Sequence, residues 1–238
     1  MNNNRKALLL LLCAVLMVGA SVFGTLAYLT DTESVTNTFT VGSVTIQLDE
    51  AKVNEDGTYV TNHDNRVKEN DYHLIPGHHY YKDPTVTVEA GSEESYVRML
   101  VTFSFSSQLD AIFPNADLTR IFKGYDDANW ALKQVTEDKA ANTRTYEFRY
   151  VGDADKGTKP GTVKKTDKKD KDIVLDDLFE GFTLPGEITK EQLATLVKTD
   201  KDGNITDQFK ITVVAHAIQA DGFDTADAAW AEFSTQNT

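Results

Sequence analysis

The chain has 238 residues and a formal net charge of −13, because 37 Asp and Glu outnumber 24 Lys and Arg. This acidity argues against nucleic-acid binding, which needs Lys and Arg to neutralise phosphates, and against adhesion to anionic membranes. The single cysteine, Cys13, lies so near the start that the rest of the chain can form neither a disulfide nor a Cys-based zinc site.

The first 27 residues predict a secretory signal peptide. A positively charged start precedes an unbroken apolar stretch over Ala7–Val18, and small side chains follow up to Ala27. We expect cleavage between Ala27 and Tyr28, with an uncleaved membrane anchor as the alternative. Because Arg5 and Lys6 would leave with this segment, cleavage would change the net charge from −13 to −15 and remove the only cysteine.

The remaining residues, 28–238, fit a single all-β domain. Thr38–Leu48 and Tyr96–Phe105 alternate between apolar and other residues with a period of two, which predicts strands. Ile211–Gln219 is apolar on both faces, which predicts a central strand. Further strands are predicted at Asp83–Ala90, Trp130–Val135 and Thr143–Tyr150.

Two or three short helices are predicted in the connections. One covers Ser107–Phe113, one follows a capping box that begins at Thr189, and one is capped by Asp224. The segment 152–172 is rich in Lys and Asp and holds only two apolar residues. It predicts a flexible, solvated loop within the domain, because it cannot bury enough apolar surface to become ordered.

Catalytic motifs are missing from the sequence: there is no nucleophile elbow, no phosphate-binding glycine loop and no H-E-x-x-H. The one group of candidate metal ligands is His73, His78 and His79. The turn at Pro76-Gly77 would fold the chain back, so that His73 and one of the pair could share a zinc ion. The alternative is a polar hairpin whose His and Tyr side chains cover a sheet edge.

Two other features have ordinary structural interpretations. Asp200–Asn204 is similar to the start of a calcium loop, but Gly203 occupies the fourth rather than the sixth position, which favours a simple turn. His216, inside a predicted strand, is interpreted as a hydrogen-bonded core histidine. No catalytic residue and no cofactor is therefore predicted, and zinc or calcium remains an open possibility.

Residues 24–48 resemble the export signal and first strand of the TasA/camelysin family of secreted Gram-positive matrix proteins. The shared features are G-T-x-A before the cut, Tyr28 and Asp31 after it, and F-x-x-G-x-[VL]-x-[IL] beginning at Phe39. The resemblance implies a two-sheet, jelly-roll-like sandwich. It also implies processing by a SipW-type signal peptidase and an extracellular or cell-surface location.

In TasA-like fibres, the new N-terminal segment adds as a strand to the neighbouring subunit. Mapped onto this chain, the donor strand is Tyr28–Phe39, whose apolar residues are Tyr28, Leu29, Val35 and Phe39. The resemblance thus implies self-association and contacts with other matrix proteins, with membrane contact only through an uncleaved signal. The alternative is that this segment pairs within its own sandwich.

Three functions follow from these observations. The first is a non-enzymatic structural or adhesive protein of a biofilm-type extracellular matrix. The second is a metal-dependent endopeptidase of camelysin type, supported only by His73, His78 and His79. The third is a soluble module that binds a surface sugar or a host protein.

Overall fold

The computed structural model describes residues 42–60, 63–113 and 121–236. This part of the chain is mainly β, as predicted, with several antiparallel sheets, one of them a curled half-barrel, and three short helices. The strands are β1 (Ile46–Ala51), β2 (Arg66–Val67), β3 (His79–Tyr81), β4 (Thr85–Val88), β5 (Ser95–Ser104), β6 (Phe122–Lys123), β7 (Trp130–Asp138), β8 (Thr143–Tyr150), β9 (Thr162–Val163), β10 (Ile173–Val174), β11 (Gly181–Thr183), β12 (Val197–Thr199), β13 (Ile205–Gln208) and β14 (Ile211–Gln219). The helices are α1 (Ser106–Ile112), α2 (Lys190–Ala194) and α3 (Ala226–Gln236). None of the helices in these ranges is long and apolar enough to cross a membrane.

Strand β5 is an inner strand of the largest sheet, whose hydrogen-bonded order is β14-β5-β8-β7. The predicted alternation is confirmed, because Val97, Met99, Val101 and Phe103 are each at most 3% exposed. The strand pairs antiparallel with β14 on one side and with β8 on the other. Its core-facing residues thus form the centre of the hydrophobic interior.

One hydrophobic core joins this sheet to two smaller sheets, ordered β10-β4-β1-β2 and β3-β11-β6. Phe122 of β6 stacks on Phe179 with 4.3 Å between ring centroids, and Val86 of β4 is fully buried. Trp130 is also fully buried, and its indole N–H donates a hydrogen bond of 3.0 Å to the carbonyl of Asp176. Large aromatic side chains therefore supply much of the buried apolar area that holds the sheets together.

Strand β14 begins and ends as predicted, but it lies at the edge of its sheet rather than in the centre. The prediction rested on apolar residues on both faces of the strand. Val213 packs on the core, whereas Ile218 on the other face packs on a cluster that includes Trp230 of α3. Apolar residues on both faces therefore indicate that other elements cover both faces of the strand. They do not indicate whether both of its edges are paired with other strands.

The Lys/Asp-rich segment 152–172 packs on the domain. By contrast, the sequence predicts that it buries too little apolar surface to become ordered. It contributes β9, which pairs with the start of β5, and Val163 is fully buried. The carboxylate of Glu94 accepts hydrogen bonds from the backbone of Thr158 and the hydroxyl of Thr162. Two buried apolar residues, Ala154 and Val163, suffice here because an existing strand supplies backbone hydrogen bonds that composition does not reveal.

The predicted helices are present, with small shifts at their ends. Helix α3 is capped by Thr225 rather than by Asp224, because the Thr225 hydroxyl accepts a hydrogen bond of 3.2 Å from the backbone N–H of Ala228. The capping box of α2 is confirmed: the Thr189 hydroxyl accepts a hydrogen bond from the Gln192 backbone, and the Gln192 side chain bonds back to Thr189. Helix α1 begins at Ser106, one residue before the predicted start. The start of α2 is therefore encoded locally, because its capping hydrogen bonds join residues only three apart.

Helix α3 packs on the outer face of β5 and β14 through a small second cluster of buried residues. The guanidinium of Arg98 lies 4.4 Å from the centre of the Trp230 ring. The Nε of Arg98 donates a hydrogen bond of 3.2 Å to Nδ1 of His216, whose ring lies 4.8 Å from that of Phe233. The prediction of a hydrogen-bonded histidine at position 216 is confirmed, and the side chain is half-buried.

Acidification is expected to destabilise the packing of α3. Burial and the charge of Arg98 lower the pKa of His216, against the opposing charge of Glu147. The unfolded chain therefore binds more protons than the folded chain below about pH 6.5, and the free energy of unfolding decreases as the pH falls through this range.

We expect the melting temperature to fall further between about pH 7 and about pH 5 in the wild type than in His216→Gln, as measured by scanning calorimetry. His73→Gln, at an exposed position, is the control and should keep the wild-type pH dependence. Equal pH dependence in His216→Gln and the wild type would contradict the prediction.

Candidate functional site

A cleft of about 810 Å³ opens between β1 and the start of β14, and we call it the β1–β14 cleft. The segment 68–74, helix α2 and the ribbon of β12 and β13 contribute further wall residues. Its apolar lining includes Leu48, Tyr72, Leu193 and Phe209. The cleft is thus open to solvent at its mouth and bordered by core residues at its base.

Strands β1 and β14, which border the cleft, each have an edge that lacks a strand partner over part or all of its length among residues 42–60, 63–113 and 121–236. Strand β1 pairs with β4 from Ile46 to Asp49, and on its other side β2 reaches only Glu50 and Ala51. Strand β14 pairs with β5 along its whole length, and no described strand pairs with its other edge. Cα atoms of β1 and β14 approach within 8 Å of one another, but no hydrogen-bonded ladder joins them. Such edges present backbone groups that can pair with a further strand.

The apolar side chains next to these two edges are only half-buried. Ile46 and Leu48 on β1 pack against the core without being fully covered, and so does Val213 on β14. By contrast Val101, the β5 residue opposite Val213, has no exposed surface. The apolar side chains of the core are therefore fully covered at β5 but partly exposed next to the cleft. Further burial of this exposed apolar surface would be favourable.

Glu50, Asn70 and Lys82 form a polar group at the base of the cleft. Glu50 and Lys82 are 5% and 7% exposed and form an ion pair. The Asn70 amide nitrogen donates a hydrogen bond of 2.8 Å to the other oxygen of the same carboxylate. Tyr72 lies nearby and donates to the carbonyl of Tyr81 at 3.1 Å. Burial and the charge of Glu50 raise the pKa of Tyr72, so its hydroxyl keeps its proton at neutral pH.

The three histidines considered as metal ligands do not converge. The His78 ring contacts the carbonyl of Asp56, whereas Nδ1 of His79 lies 3.1 Å from the hydroxyl of Thr183. His73 is exposed at the cleft, and burial lowers the pKa of His79. Within the described ranges, no group of three or more His, Cys, Asp or Glu is placed to hold a metal ion. The arrangement instead fits the alternative interpretation of this segment, a polar hairpin.

The segment similar to a calcium loop forms a turn between β12 and β13, as expected. The carboxylate of Asp200 accepts hydrogen bonds of 2.9 Å from the backbone N–H groups of Asp202 and Asn204. Gly203 adopts a φ of 85°, which glycine reaches without strain. The acidic side chain therefore serves the turn itself.

The predicted cleavage site at Ala27 and Tyr28 lies outside the described residues. The same holds for the remaining apolar residues of the candidate donor strand, Leu29, Val35 and Phe39. Their roles remain predictions.

The group formed by Glu50, Asn70 and Lys82 is absent from the sequence-based predictions. Asn70 lies 20 residues and Lys82 lies 32 residues from Glu50 in the chain, so no local motif joins them. One signal was present: Glu50 continues the alternation of Ile46 and Leu48 and therefore falls on the apolar face of β1. A charged residue on an apolar face needs a partner, although the pattern does not say which.

Comparisons of this chain with protein-family models, with curated proteins and with solved structures find no match.

Proposed function

We propose that this chain is a secreted structural protein of an extracellular matrix that assembles by strand addition. The segment Tyr28–Phe39 of one copy would enter the β1–β14 cleft of the next copy. A SipW-type signal peptidase would free the segment by cleaving after Ala27. The added strand would complete a two-sheet, jelly-roll-like sandwich around the existing core.

The observation that carries this proposal is that β14 along one whole edge, and β1 before Glu50, border the same cleft without a strand partner in the described part of the chain. A strand added there could hydrogen-bond to the free edge of β14 or to the free part of β1, as in β-strand addition. It would also cover Ile46, Leu48 and Val213, whose half-burial leaves apolar surface exposed. Main-chain pairing and burial of apolar surface would therefore act together.

The composition of the candidate donor suits this role. In an extended strand, residues four or six positions apart share a face, so Leu29, Val35 and Phe39 would point to the same side. Extended, the segment Tyr28–Phe39 would span about 40 Å, compared with about 30 Å for β14. The donor is thus long enough to pair along the full acceptor edge.

The peptidase alternative has less support, because His78 and His79 are engaged by separate partners. An enzyme of this type would need its ligands to converge on one ion. For the sugar- or protein-binding alternative, the cleft offers a mixed polar and apolar surface but no feature that selects a ligand.

The proposal predicts that a chain beginning at Tyr28 forms fibres, whereas a chain beginning at Thr40 stays monomeric. Negative-stain electron microscopy and light scattering would measure both outcomes. A synthetic peptide of residues 28–39 should bind the shorter chain, because it supplies the missing strand in trans. Val35→Asp with Phe39→Asp should abolish assembly, whereas Thr36→Asp with Thr38→Asp, on the opposite face, is the matched control.

A monomeric chain beginning at Tyr28, tested at high concentration, would contradict fibre assembly. If the shorter chain nevertheless bound the peptide, the segment would fill the cleft of its own copy. Fibres formed equally well by the chain beginning at Thr40 would also contradict the proposal, because assembly would then use another surface.

A further inference from the structure

The Glu50 carboxylate bridges a buried amine and a carboxamide. One oxygen accepts a hydrogen bond from Nζ of Lys82, and the other accepts one of 2.8 Å from Nδ2 of Asn70. The side chains of Glu50 and Lys82 are only 7% and 8% exposed. A nucleophilic amine and an acyl group are therefore held on either side of one proton-accepting group.

The carboxamide of Asn70 is fixed in place by two further hydrogen bonds, to β1 and to the segment after it. Its Nδ2 also donates to the carbonyl of Ala51 at 3.0 Å, and its Oδ1 accepts a hydrogen bond of 3.0 Å from the backbone N–H of Val53. Ala51 and Val53 are themselves buried. A backbone N–H aimed at Oδ1 would stabilise negative charge that develops on this oxygen during attack at the adjacent carbon.

We propose that Lys82 and Asn70 form an intramolecular amide cross-link, with Glu50 as the catalytic residue that carries the protons. In the first step of this reaction, the Lys82 ammonium passes a proton to the Glu50 carboxylate with which it forms a hydrogen bond, which yields a neutral amine and a neutral acid. The amine is then a competent nucleophile, and proximity replaces an encounter in solution.

The reaction balances without an oxidant or a co-reactant. Nζ of Lys82 attacks Cγ of Asn70, the Nζ–Cγ bond forms, and the Cγ–Nδ2 bond breaks. Nζ loses two of its three protons, and Glu50 passes both to the departing nitrogen. That nitrogen leaves as ammonium, the charge of the original lysine leaves with it, and Glu50 returns to a carboxylate.

Such a cross-link would suit this chain for a reason visible in its composition. The only cysteine is Cys13, so residues 28–238 cannot form a disulfide within one copy. An amide between the loop before Tyr72 and the end of β3 would supply a covalent constraint that is insensitive to reductants. This inference is independent of strand addition, because the reacting groups lie within one chain.

Intact mass spectrometry of the purified, folded chain tests the proposal, once its N-terminus has been sequenced. We expect a mass below the sequence mass by one ammonia, and peptide mapping that recovers Asn70 and Lys82 in one branched peptide. Glu50→Gln, Lys82→Arg and Asn70→Ala should each restore the mass expected from the sequence. Lys52→Arg and Asn54→Ala, at exposed positions in the adjoining hairpin, are the controls and should retain the loss.

A wild-type chain with the full sequence mass would overturn the proposal, and this result does not depend on whether any variant folds. Loss of water instead of ammonia would also overturn it, because Lys82 would then have reacted with the Glu50 carboxylate. Loss of ammonia mapped to a linear peptide that contains Asn70 but not Lys82 would indicate a succinimide and likewise contradict the cross-link.

Discussion

Val213→Asp, in a chain that begins at Tyr28, will abolish fibre assembly and leave the fold intact. Val213 lies on the core-facing side of β14, next to the unpaired edge, and it is half-buried. Under the proposed function, an added strand would cover this side chain, so a carboxylate would be buried without a partner. The cost is about 3 kcal/mol or more, which corresponds to an association weaker by more than about a hundredfold.

The matched control for this prediction is Val214→Asp, one residue along the same strand. Val214 points to the opposite face of the sheet and is 43% exposed, so a carboxylate there remains in water. Sedimentation velocity would measure assembly, and circular dichroism would verify that both variants are folded. Fibres from the folded Val213→Asp variant, or loss of fibres from Val214→Asp alone, would contradict the proposed use of this edge.

Trp130→Ala will destabilise the domain by about 3–5 kcal/mol. The Trp130 side chain is fully buried, packs edge-to-face against Tyr150 at 5.2 Å between ring centroids, and donates a hydrogen bond to Asp176. Alanine would leave a cavity and an unpaired carbonyl. Since domains are stable by only about 5–15 kcal/mol, this loss is a large part of the total.

Urea denaturation and scanning calorimetry would measure this effect. We expect a melting temperature lower by about 6–20 °C for a domain of this size. Val135→Ala is the control, because it lies on the same strand β7 and is 47% exposed. Its effect should be about 0.5 kcal/mol or less. Similar losses in the two variants would show that β7 contributes through strand pairing rather than through the burial of Trp130.

The local elements of this protein follow from the sequence by itself. The alternation of apolar residues predicts the position and the buried face of β5, because a side chain points to one face at every second residue. The capping box at Thr189 predicts the start of α2, since its hydrogen bonds join residues only three apart. The acidity and the lack of cysteine after position 13 restrict the partners and the covalent constraints available.

The tertiary structure alone decides which strand edges remain unpaired and which distant side chains meet. The apolar faces of β14 are visible in the sequence, but its place at a sheet edge depends on β5 and α3. The packing of segment 152–172 depends likewise on an edge supplied by β5. Glu50, Asn70 and Lys82 come together because antiparallel pairing and a hairpin bring separated segments to one point. Period-two and capping patterns describe each segment on its own, whereas the cleft and its polar base arise from contacts between segments.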